Sequence, residues 1–87
     1  MAQKYVFIQD PGHGWIIVTL AEIARLGIAD QISSYSYKNV QAGEAYLEED
    51  CDAALFIRAK EALGEAFAFR DVHTDSDAKC RTLPRFH

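Results

Sequence analysis

The sequence predicts a single small α+β domain: an antiparallel-rich sheet of four or five strands with two helices packed on one face, in the order β-β-α-β-β-α-β. Three observations lead there. Short segments alternate apolar and polar residues or run as β-branched and aromatic clusters, the mark of strands. Two other segments carry apolar residues at helical spacing, and each stops at a glycine. Strands and helices are mixed without strict alternation, which favours α+β over a doubly wound α/β sheet. The 87 residues support one core, assigned to residues 1–73, with residues 74–87 read as a polar, partly basic C-terminal tail.

From Lys4 to Gln9, Tyr5 and Phe7 point to one side and Val6 and Ile8 to the other. Asp10-Pro11-Gly12-His13-Gly14 then turns the chain, and Trp15-Ile16-Ile17-Val18 returns as the second arm of a hairpin with both sides apolar. Thr19 to Glu22 has the spacing of a capping box, opening a helix of about two turns with Leu20, Ile23, Ala24 and Leu26 on its apolar side and Gly27 at its end. Ile28 and Ile32 flank a short helical turn. Ser34 to Lys38 alternates Ser and Tyr as a strand does, "NVQAGE" connects a second hairpin, and Ala45 and Leu47 oppose Glu44, Tyr46 and Glu48 on the returning strand. Asp50 or Asp52 is expected to cap a longer helix carrying Ala54, Leu55, Ala59, Ala62 and Leu63 and ending at Gly64. The last strand holds Phe67 and Phe69 on one face and can pair in either sense.

Composition narrows the function classes. With 49% hydrophobic and 25% charged residues and no long apolar run, a membrane-spanning role is not expected. The N-terminus has no secretory pattern, so a cytoplasmic location is expected. A net charge of −4 disfavours general binding to nucleic-acid phosphates and suits a basic partner. Cys51 and Cys80 form no C-x-x-C pair and read as reduced thiols.

Several residues bear on chemistry. Asp10 to Gly14 resembles the start of the zinc-dependent amidases that cleave cell-wall peptides, which would make His13 a metal ligand. The resemblance covers only those residues, and neither His73, His87, the cysteines nor the carboxylates fall at a recognised ligand spacing. His13 is therefore read as a loop-tip contact, with Trp15 beside it. Cys51 sits at a helix start, but Glu48, Glu49, Asp50 and Asp52 oppose a thiolate there. Asp71 and His73 share a strand face without a nucleophile to complete a triad. The acidic run from Glu44 to Asp52 is the leading candidate for partner binding: Glu44, Glu48, Glu49, Asp50 and Asp52 would form a negative patch, with Tyr46, Tyr35 and Tyr37 as aromatic anchors. Lys79, Arg81, Arg85 and Phe86 give the tail the opposite sign, and it is read either as partly disordered or as a strand-edge cover.

Tyr5-x-Phe7-x-x-Asp10-Pro11-Gly12-His13-Gly14-Trp15, "LAEIARLGIADQISSYSY" and "AYLEEDCDAALFI" together resemble small proteins encoded on bacterial phages, plasmids and other mobile elements, with a weaker match from Lys60 onward. That resemblance implies a context of host-defence evasion, in which anti-CRISPR proteins are similar in size, charge and α+β build. The resulting expectation is a non-enzymatic inhibitor, monomeric or dimeric, acting in the cytoplasm of an infected or plasmid-bearing bacterial host, that uses its acidic and aromatic surface to block a host protein or CRISPR effector complex with a basic surface, with no cofactor, catalytic residue or resident metal. The competing expectations are a small metal-dependent hydrolase centred on His13 and a nucleic-acid-binding regulator using the basic tail.

Overall fold

The computed structural model describes residues 3–87. The period-two segments become β1 (Gln3–Gln9), β2 (Gly14–Thr19), β3 (Tyr37–Asn39), β4 (Glu44–Glu48) and β5 (Phe67–His73), and the two helical segments become α1 (Leu20–Leu26) and α2 (Ala53–Ala62). The strands form one sheet in the order β3-β4-β2-β1-β5. All neighbours are antiparallel except β1 and β5, which run parallel with Tyr5 opposite Phe69. No helix among the described residues is long and apolar enough to cross a membrane.

Alternation along the strands gives the sheet two apolar faces. Tyr5, Ile16, Val18, Ala45 and Leu47 face the helices and pack with Ile23 of α1 and Phe56 of α2, so both helices lie on one face as expected. Trp15 and Tyr37 face the other way, where Ala78 and Cys80 cover them. Residues 74–87 are thus built into the domain. A 3₁₀ turn at Lys79–Thr82 lies over the second face, and the chain then runs along the edge of β3. There the Lys38 amide donates to the Pro84 carbonyl and the Phe86 amide to the Ser36 carbonyl, and Phe86 is buried. Of the two readings of the tail, strand-edge cover is the one adopted. Satisfying β3's outward-facing backbone groups also removes one exposed sheet edge.

Local signals explain the helix ends. The Thr19 hydroxyl accepts from the Glu22 amide, and Gly27 (φ 69°) closes α1 in the left-handed conformation. Its amide and that of Ile28 reach back to the Ala24 and Ile23 carbonyls, the paired bonds of a Schellman motif. The strand expected from Ser34 to Lys38 begins only at Tyr37, because Asp52 holds Ser33 and Ser36 in a turn, and two expectations about the helices also need correction. The capping box is not reciprocal, because the Glu22 carboxylate turns to Tyr5, Arg25 and Lys60. In α2 the buried face is Ala53, Phe56 and Lys60, while Ala54, Ala62 and Leu63 are exposed. The phase differs because Lys60 is buried through ionic partners. Its ammonium lies 3.1 Å from Glu22 and 2.7 Å from Glu65. Arg25 joins the same two carboxylates from outside, and its hydrogen bonds hold both Glu22 and Glu65 down to about 2.

Candidate functional site

The site is built on the β1–β2 turn. Asp10 is buried at the end of β1, and its carboxylate accepts from the Gly12 and His13 amides at 3.0 and 2.9 Å, which fixes the turn. The same carboxylate accepts from the Ala78 amide at 2.9 Å and from the Arg81 guanidinium at 2.6 and 2.9 Å. Arg81 foremost, with the three amides, holds the Asp10 carboxyl well below the usual carboxylate range against the cost of burial. One side chain therefore fastens the turn that carries His13 to the segment that covers Trp15. A Cβ on Gly14 would meet the Phe7 ring at 2.6 Å, so the backbone entering β2 must pass where no side chain fits.

Above this clamp, on the face away from the helices, a cleft of about 300 Å³ opens. Buried Trp15 and Tyr37 line it, with ring centroids 6.1 Å apart, and the Arg81 and Arg85 guanidinium groups lie over them at 5.0 and 5.2 Å. Half-exposed His13 stands on one side, its ring 6.1 Å from that of Trp15. Glu48 enters from β4 because the β2–β4 register sets it opposite Trp15, and the Glu49 amide bonds the Gly14 carbonyl across the same junction. Glu48 Oε1 accepts from the Asp50 amide at 2.9 Å. Its Oε2 is buried without a hydrogen-bond partner among the described residues and stands 3.5 Å from His13 Nδ1, beyond hydrogen-bond length. Trp15 Nε1 is likewise buried and unpartnered. Two complementary polar atoms, an acceptor and a donor, are thus left unsatisfied at one cleft, where burial makes that costly.

The acidic run divides rather than forming a patch. Asp52 is buried and holds the turn before β3 in place: its carboxylate accepts from the Ser33 amide at 3.0 Å, the Ser33 hydroxyl at 2.7 Å and the Ser36 hydroxyl. It occupies the N-cap position of α2, but those bonds leave it no capping bond to the helix. Glu48 is buried in the cleft, Asp50 is exposed at it, and Glu44, Tyr46 and Glu49 are half-buried. Tyr37 is buried in β3, whereas Tyr35 lies before the strand in the turn and is 61% exposed at the cleft mouth. Trp15, expected as an exposed contact, is buried because residues 78–83 pack over it. Cys51 has its thiol pushed up by desolvation first, then by Glu48, Asp52 and Asp50, the direction expected from its acidic neighbours. Burial drives Cys80 up to about 11.

Asp71 and His73 lie on β5, which the strand order sets at the opposite edge of the sheet from β3. Of the tail cations, Arg81 is paired with Asp10 and Arg85 donates to the Ser34 carbonyl, leaving Lys79 as the exposed charge of the 3₁₀ turn. Sequence spacing offered no reason to join His13 with Glu48 and Asp50, whose ligand atoms lie within 4.8 Å of one another. Strand pairing joins them. The one signal available beforehand was a charged residue, Glu48, alternating in phase with the aromatic Tyr46 on a strand whose opposite side was apolar. No protein-family model matches the chain, and no curated protein or solved structure matches it.

Proposed function

We propose that the protein is a non-enzymatic partner-binding module whose recognition surface is the cleft mouth. The observation that carries this reading is Tyr35, a large aromatic residue 61% exposed at the rim of a cleft lined by Trp15 and Tyr37. An exposed aromatic beside a concave, partly apolar site with a few converging polar groups is the usual composition of an interface anchor. The partner brings a basic side chain to Asp50 and Glu49, which retain the negative character of the acidic run at the surface, and an apolar group to the aromatic floor. The mobile-element resemblance makes a host-defence complex, such as a CRISPR effector, the first partner to test, with the protein acting as its inhibitor by steric and electrostatic competition.

Affinity capture from the bacterial host identifies the partner, and titration against that purified partner tests the surface. Tyr35→Ala should weaken binding about tenfold or more, as loss of an aromatic anchor does. Charge reversal at Glu49 and Asp50 should weaken it further and flatten its salt dependence. Unchanged affinity in both variants would remove the cleft mouth from the interface.

A further inference from the structure

The cleft also carries a grouping that partner binding does not explain. Glu48 Oε2 belongs to a side chain only 7% exposed, has no hydrogen-bond partner, and points at His13 Nδ1 from 3.5 Å. Two donors on one tetrahedral ion at about 2.1 Å stand roughly 3.4 Å apart, so this pair already has the separation that a shared ion imposes. Asp50 completes the set: its carboxylate is exposed, free to adjust, and within 4.8 Å of both other ligand atoms. Glu48 is oriented from behind by the Asp50 amide on Oε1, which is how outer contacts fix a metal-binding carboxylate. His13 is oriented by the Asp10-held turn. Arg81 does not oppose a cation strongly, because its charge is matched by Asp10. We infer that His13 Nδ1, Glu48 Oε2 and the Asp50 carboxylate form a binding site for a divalent first-row transition ion, with its remaining coordination positions open to the cleft.

One nitrogen and two carboxylate donors suit zinc, cobalt or manganese better than the all-oxygen environments of calcium and magnesium. Among the described residues Glu48 Oε2 is the buried carboxylate oxygen left without a partner, and the ion would satisfy it. This inference does not rest on the partner-binding reading. It is tested on the isolated protein, so failure to capture a partner leaves it untouched, and absence of metal leaves the partner reading untouched.

The full chain, purified without a histidine tag and stripped of metal, is titrated with Zn²⁺ by calorimetry and with Co²⁺ by visible absorption. One ion should bind per chain, with the Co²⁺ spectrum of a nitrogen- and oxygen-ligated site. His13→Ala alters a half-exposed loop residue and should leave the metal-free fold unchanged by circular dichroism, yet weaken Zn²⁺ binding by at least about tenfold. Asp50→Asn should weaken it as well, whereas His73→Ala and His87→Ala should not. Absence of saturable binding overturns the inference. So does binding that survives both His13→Ala and Asp50→Asn.

Discussion

Replacing Asp10 by alanine should cost more stability than almost any other change at a polar position, and the loss can be worked from its partners. Five donors converge on this one carboxylate. The Gly12 and His13 amides lie in an exposed turn and can bond water instead, so their contribution is small. The Ala78 amide makes a buried bond, and leaving it unpaired costs about 1–3 kcal/mol. Arg81 loses a charge-assisted pair at 2.6 Å, worth about 1.5–3 kcal/mol, and its side chain is only 28% exposed, so rehydration recovers part of that. The total of about 3–5 kcal/mol matches the cost of breaking a buried pair from one side. It is a large share of the roughly 5–15 kcal/mol available to a domain. Urea titration followed by circular dichroism is the assay, since urea does not screen the pair. With a slope of about 1 kcal/mol per molar, the midpoint should fall by roughly 3 M or more. A double-mutant cycle with Arg81→Ala should give a coupling energy of about 2 kcal/mol. A loss below about 1 kcal/mol, or additive single effects, would refute the idea that this carboxylate fastens the C-terminal segment to the turn.

Three other outcomes follow from the same physics. Glu22 and Glu65 are held at about 2 in the folded protein against an ordinary 4.5, so the unfolded chain takes up protons first as pH falls. Stability should therefore be fully present above 4.5 and decline between 4.5 and 2. Equal urea midpoints at about pH 7 and about pH 3 would contradict that sign. Gly14→Ala would press a methyl group to within 2.6 Å of the Phe7 ring and should cost about 1–3 kcal/mol, read as a fall in Tm of several degrees. A variant ending at Thr74 should lose at least about 3 kcal/mol, because Ala78 and Arg81, the long-range partners of Asp10, go with the segment. Emission from Trp15, the one tryptophan, should shift to the red as its cover is removed; an unshifted spectrum would mean that the segment is dispensable.

The fold was legible wherever a signal was local. Alternation in "YVFIQ" and "WIIV", the Thr19 cap and Gly27 each act within a few residues, and the elements formed there. What could not be read was where long-range partners decide. Lys60 looks like a solvated helix charge until Glu22 and Glu65 arrive from α1 and the turn after α2. Asp52 looks like a cap until Ser33 and Ser36 claim both its oxygens. The acidic run was visible as composition, but alternation and pairing sent Glu48 inward and left Asp50 outside. His13 was singled out by its motif, yet its neighbours Glu48 and Asp50 come from the end of β4 and the turn after it, and the β2–β4 register brings them there.

The Asp10 clamp also fixes when the cleft can exist. It links residues 71 positions apart, and both helices and all five strands precede Arg81 in the chain. During synthesis the sheet can assemble around its helix-side core while the opposite face is still bare, with Trp15 and Tyr37 open to water until residues 78–86 arrive. A contact of such long range carries a large loop-closure cost. The cleft can therefore close only once the end of the chain has arrived, and a chain interrupted shortly before Ala78 would present the scaffold without the cleft.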